Sequence, residues 1–335
     1  MSEQTKIQWA DSTVNFWSGC TKVSPGCKNC YAEAMSNRKL TNKAGELNLG
    51  QWGKGAPRQR HESAFKLALQ LNNKPLICDH CGVAHNMEQA HWCEPIKDVR
   101  AGDYLSYHRR RVFSLSLGDW LDRDETVDVR MRAEMLHCVW RCSECFWLLC
   151  TKRPELWREC LQEILDCQSA IGSLDYEEGF FLWVQAWLAG QPPKYIMVLA
   201  SVENQQAADE RLPALLKIPA SKRGLSCEPL LGPVDFPHAA PCGYYCGGGH
   251  RPGHGLSGID WVIIGGESGP KARTCDLGWI RSLVAQGKAA GVATFVKQLG
   301  SNPSCECGEL PHDLHPKGGD MAEWPKDLQV REFYK

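Results

Sequence analysis

Three cysteines near the amino end, Cys20, Cys27 and Cys30, stand at C-x6-C-x2-C spacing within the stretch Gly19–Tyr31. Pro25-Gly26 is a turn signal, so the segment can curl and present its sulfurs to one centre. The number of sulfurs is informative. A [4Fe–4S] cluster has four irons, and cysteine usually ligates all of them; three thiolates leave one iron open for a small molecule. A structural zinc ion wants a fourth ligand, and this loop holds none.

The chain carries 18 cysteines in 335 residues, and others also fall in groups. Cys78-Asp79-His80-Cys81-Gly82 is a C-x2-C knuckle, and Cys93 with His91 or His85 would complete a tetrahedral zinc site. Cys242 and Cys246, and further on Cys305 and Cys307, would form one four-thiolate site for zinc or an auxiliary iron–sulfur cluster. Alternatively each pair binds separately, with His250 and His254 or with His312 and His315. Cys138, Cys142 and Cys145 have C-x3-C-x2-C spacing, yet they run from a helix-like stretch into a strand and read as packing. Cys150, Cys160, Cys167 and Cys275 read as core.

The elements that must position these groups alternate. Apolar runs over Arg111–Ser116, Cys145–Thr151, Tyr195–Val202, Gly224–Cys227, Asp260–Gly266 and Ala293–Gln298 predict strands, with an additional first strand over Val14–Ser18. Between them Thr126–Val139, Pro154–Cys167, Ala207–Leu216 and Leu277–Ala290 predict helices, the last opened by Asp276 and closed by Gly291. Ala32–Leu40 is helix-like directly after the first cysteines. Strands alternating with helices imply an α/β fold, a partial or full (βα) barrel of mostly parallel strands forming one domain over 1–335. Three Cys/His-rich stretches, 74–95, 237–258 and 302–319, read as insertions stapled by metal, because they hold little apolar material to bury.

The strand ends are polar. In a parallel barrel they meet on one face, where such folds place their sites. They offer Lys152, Arg153, Glu203, Glu228 and Lys297 as candidate catalytic residues, and Ser201, Asn204, Gly265, Gly266, Glu267 and Ser268 as candidate cofactor contacts. Lys152-Arg153 suits a phosphate or carboxylate. Arg109-Arg110-Arg111, the looser stretch Lys54, Arg58, Arg60 and His61, and some of the 13 tryptophans are candidates for nucleic-acid contact, set against solvated charges and a packed core.

Composition narrows the classes. Hydrophobic residues make up 43% and charged residues 23%, which excludes disorder, collagen and coiled coil. The formal net charge of -1 gives no overall field favouring nucleic acid or membrane. No apolar run approaches the ~20 residues of a membrane span, and the first residues lack a signal-peptide core, so a reducing cytoplasm is expected.

The motifs together resemble a phage and bacterial family of three-cysteine-motif proteins that is similar to radical S-adenosylmethionine (SAM) enzymes. The likeness rests on Ile7–Asp11, Gly19–Tyr31, Leu149–Pro154, Ser201–Asn204, Leu225–Pro233, Asp260–Gly269, Lys297-Gln298, Lys317–Asp320 and Glu323–Pro325. It implies a βα barrel, a [4Fe–4S] cluster on Cys20, Cys27 and Cys30, and SAM cleaved to a 5′-deoxyadenosyl radical. It also implies that Glu267, after two glycines, meets the SAM amino group or the substrate. An electron donor, and as substrate a modified nucleobase in DNA or a nucleotide precursor in the host cytoplasm, follow from the same resemblance. The competing expectation is a zinc-containing nucleic-acid-binding or regulatory protein whose barrel does no redox chemistry.

Overall fold

The computed structural model describes residues 1–38, 51–79, 82–86, 107–171, 177–236, 255–305 and 315–335. Its centre is a seven-stranded sheet, all parallel: β1 (Ser12–Val14), β2 (Arg111–Ser114), β3 (Phe146–Thr151), β4 (Ile196–Ser201), β5 (Lys222–Cys227), β6 (Trp261–Gly265) and β7 (Ala293–Gln298). Spatial order equals chain order, and the sheet curls into a half-barrel flanked by helices. The helices are α1 (Tyr31–Arg38), α2 (Glu62–Asn72), α3 (Val129–Arg141), α4 (Trp157–Asp166), α5 (Glu178–Leu188), α6 (Gln205–Lys217) and α7 (Leu277–Ala290). Asp276 caps α7 by accepting from Gly278 N at 2.6 Å, and Gly291 ends it in the left-handed conformation that glycine takes without steric cost.

The strands are apolar on both faces, as parallel strands covered on both sides must be. Alternate residues go opposite ways. Val112, Trp147, Leu149, Val198, Leu225, Val262 and Val296 pack under the helices. Phe113, Phe146, Leu148, Met197, Leu199, Trp261, Ile263 and Phe295 form the inner face of the curl. That inner face is filled from below by the two chain ends, through Trp9, Ala10 and Tyr334. It turns polar towards the carboxyl ends of the strands, where Cys150, Ser201, Ser226, Glu228 and Lys297 continue the same alternation.

Local structure departs from expectation at the amino end. The single strand Val14–Ser18 divides: Ser12–Val14 joins the main sheet, whereas Trp17–Ser18 pairs antiparallel with Gln59–Arg60. Asn15 sits at the break, its side-chain carbonyl accepting from Leu117 N at 2.9 Å. Part of the 74–95 insertion forms a small antiparallel sheet of Leu76–Cys78, Ala84–His85 and Tyr107–Arg109. Among the described residues no helix is long and apolar enough to cross a membrane.

Candidate metal centre

The cysteine loop follows the short pairing strand Trp17–Ser18 and lies across the carboxyl-terminal rim of the sheet. Three arginine–carboxylate pairs clamp it there, drawn from the ends of different strands. After β2 and β3, Arg153 donates from Nη1 to Asp119 at 2.7 Å and from Nη2 to the Thr21 carbonyl at 2.6 Å. After β4, Glu203 is paired with Arg211 at 2.7 Å and accepts from Gly26 N at 3.3 Å. After β6, Glu267 is held two-pronged by Arg273 at 2.6 and 3.0 Å and accepts from Asn29 Nδ2 at 2.9 Å, while Arg273 also donates to the Pro25 carbonyl at 2.8 Å. The glycine of the Pro25-Gly26 turn is required for close approach, since a Cβ there would lie 3.0 Å from the Glu203 carboxyl carbon.

Each sulfur has a polar neighbour. The η nitrogens of Arg153 stand 3.9 and 4.0 Å from Cys20 Sγ. The Ser24 hydroxyl is 3.8 Å from Cys27 Sγ. Cys30 immediately precedes α1, its sulfur near the Ala32 and Glu33 amides of the first turn. All three are free, half-buried thiols. Burial, reinforced by Asp119 and Asp122, pushes Cys20 up to about 12 against the opposing pull of Arg153. Burial also raises Cys30, against the amides and Lys152. Such thiols are poor nucleophiles at neutral pH, because the thiolate is the reactive form.

Among the described residues no three His, Cys, Asp or Glu side chains converge closely enough to hold a single metal ion. A cluster makes a different demand. It takes each thiolate on a separate iron, so its ligands surround a volume rather than meet at a point. Cys20, Cys27 and Cys30 offer three free thiols on one clamped loop.

Residues 4–321 match the family DUF5131, described as a protein of unknown function. The chain belongs to the DUF5131 family. No curated protein and no solved structure matches it.

Within this DUF5131 chain the predicted site residues divide by task. Glu267, expected to meet an ammonium, has its oxygens taken by Arg273 and Asn29; burial would raise its pKa, but those donors hold it below the ordinary carboxylate range. Gly265 and Gly266 serve packing. A Cβ on Gly265 would lie 2.4 Å from Glu228 Oε1, and one on Gly266 only 2.2 Å from the Leu299 carbonyl. Asn204 caps α6, accepting from Ala207 N at 2.9 Å. Arg153 and Glu203 belong to the clamps; for Glu203, Lys152, Ser24 and Arg211 outweigh burial and hold its pKa down. Lys152 is half-buried near Glu203 and Cys30. Glu228 and Lys297 form a 3.0 Å ion pair on the inner face, beside Ser201, while Ser268 is half-buried beyond β6.

Of the other predicted ligands, Cys78 is a buried thiol and Cys305 is disulfide-bonded. Cys81, His91, Cys93, Cys242, Cys246 and Cys307 lie outside the described residues. Cys138, Cys142 and Cys145 are buried in the helix-covered core, as packing requires. Three cations of the basic stretches are engaged in the fold, whereas Lys54, Arg60 and Arg109 are exposed. Arg58 is buried against Asp122 at 3.0 Å, Arg110 holds Lys74 O, Glu3 O and Ser12 Oγ, and Arg111 grips Asp11. Asp119, Asp122, Asn29, Arg211 and Arg273 are clamp members without a role assigned from sequence, and Arg58, expected to contact nucleic acid, joins them through Asp122. The only cue is Asp119's place after a strand.

Proposed function

We propose that this chain is a radical-SAM-type iron–sulfur enzyme in which Cys20, Cys27 and Cys30 hold a [4Fe–4S] cluster. The observation that carries the reading is the clamped loop: three free thiols fixed over the polar end of a parallel half-barrel. Cys20, Cys27 and Cys30 would hold the cluster, which when bound would supply the electron, taken from an external donor, for reductive cleavage of SAM. The chain's own part is positional. Arg153, Glu203 and Glu267 fix the loop through its backbone and through Asn29, so the sulfurs keep their spacing. Below it, Cys150, Ser201, Ser226, Glu228 and Lys297 line the inner wall that a substrate would meet. Tyr31 closes over this wall, donating to the Ser116 carbonyl at 2.7 Å.

For the substrate we propose a nucleobase, carried by a nucleotide or by DNA from which the base has been extruded. A half-buried Lys152 beside the wall suits a phosphate. The burial of Arg58 and Arg110 takes two cations away from any long duplex track. An external one-electron donor and a zinc ion in the 74–95 insertion complete the proposal. The many free thiols suit a reducing cytoplasm.

The test is SAM cleavage. Protein reconstituted without oxygen and mixed with SAM and dithionite is expected to release 5′-deoxyadenosine, and Cys20→Ala, Cys27→Ala and Cys30→Ala each to abolish it. Iron-loaded protein that leaves SAM intact would overturn the reading.

A further inference from the structure

We infer that Arg153 sets the reduction potential of the centre through Cys20, and is not a substrate-binding group. The inference rests on the reading of Cys20, Cys27 and Cys30 as cluster ligands. Sequence places Arg153 beside Lys152 at a strand end, where either cation could meet an anionic substrate. The structure separates them. The Arg153 side chain is 6% exposed, and both of its η nitrogens are committed. Nη1 donates to Asp119 at 2.7 Å, and Nη2 lies 2.6 Å from the Thr21 carbonyl and 3.2 Å from Asp122. The two carboxylates are themselves fixed. Asp119 accepts from Thr151 Oγ1 at 2.7 Å, Leu121 N at 3.0 Å and Lys152 N at 3.0 Å. Asp122 accepts from Arg58 Nη2 at 3.0 Å and Thr21 N at 3.1 Å. A guanidinium held from both sides cannot swing towards a substrate.

What this mounting leaves is an edge turned to sulfur, at 3.9 and 4.0 Å from Cys20 Sγ. Beside the other two sulfurs stand neutral groups, the Ser24 hydroxyl 3.8 Å from Cys27 Sγ and the first turn of α1 after Cys30. Arg153 thus brings a cation, paired with Asp119 and Asp122, within 4.0 Å of Cys20 Sγ. Adding an electron to a cluster increases its negative charge, and a buried cation nearby stabilises that state. Donors to cluster sulfurs and nearby charge are among the protein's means of setting the potential. The same guanidinium ties Cys20 to β3 through the Thr21 carbonyl, so position and potential are governed together.

The experiment is an EPR-monitored redox titration of anaerobically reconstituted protein with dithionite as electron source. Arg153→Met is expected to lower the potential so that reduction becomes at least tenfold less favourable, which is about 59 mV for one electron. Arg153→Lys, which keeps the charge but cannot bridge both carboxylates and Thr21, is expected to fall between. Iron content should match the wild type in both. Should Arg153→Met fail to fold, Arg153→Gln, which removes the charge but keeps hydrogen-bond donors for Asp119 and Thr21, carries the same comparison, with Arg153→Lys alongside. Wild-type potentials in variants that retain their iron would overturn this inference and leave the cluster reading standing. Wild-type protein that takes up no iron would instead overturn the reading beneath it.

Discussion

Asp119 accepts four hydrogen bonds with its two oxygens, from Leu121 N, Thr151 Oγ1, Lys152 N and Arg153 Nη1. It thereby ties the turn after β2 to the end of β3 and holds the guanidinium that faces Cys20. Replacing it with alanine leaves Arg153 buried with one carboxylate fewer. Losing one partner of a buried pair typically costs ~3–5 kcal/mol. Asp119→Ala is therefore expected to destabilise the protein by about that amount in urea titration; a loss below ~1 kcal/mol would show that Arg153 does not depend on it. At this scale the sequence is least legible. Cys20, Cys27 and Cys30 announce themselves by spacing, but Asn29 reaches Glu267 across 238 residues of chain, and Gly26 reaches Glu203 across 177. No local pattern encodes such meetings. For the same reason Glu267 reads as a free carboxylate in sequence and is an anchored one in the fold.

The six strands recognised after residue 100 all form, because runs such as Phe146–Thr151 and Ile196–Ser201 are buried on both faces and bounded by polar residues. The helices over Pro154–Cys167 and Leu277–Ala290 also stand close to expectation, the second because both of its caps are explicit. Two helices are less legible. In α5, Phe180, Phe181, Trp183, Val184 and Trp187 surround much of the helix with apolar groups, so no periodic face stands out. In α2 the buried face is Ala64, Ala68 and Leu71, and small residues give a weak signal. The β6–β7 junction makes the sharpest steric demand. Gly266 faces the Leu299 carbonyl so closely that a methyl group would lie 2.2 Å from it. Gly266→Ala is expected to force the strands apart and cost ~1–3 kcal/mol, the usual penalty of overpacking. A melting temperature equal to the wild type's would show that the junction can yield.

The molecule as a whole is an open parallel sheet whose inner face is closed below by its own ends and left polar above. The alternation of strands and helices made that architecture readable, since parallel neighbours need crossovers and crossovers here are helices. What patterning could not supply is the amino-terminal detail, where β1 is only three residues long and its continuation pairs elsewhere. The consequence for function is that the cysteine loop lies on a rim assembled from strands throughout the chain, so any centre it holds should form only in the folded protein. The most direct measurement is the EPR spectrum of anaerobically reconstituted, dithionite-reduced protein before and after SAM is added, with iron and sulfide quantified on the same sample. Close to four irons per chain bound through Cys20, Cys27 and Cys30, with a signal that changes on adding SAM, is the predicted result. Iron that is absent, or retained equally when those cysteines are replaced, or a signal indifferent to SAM, would contradict it.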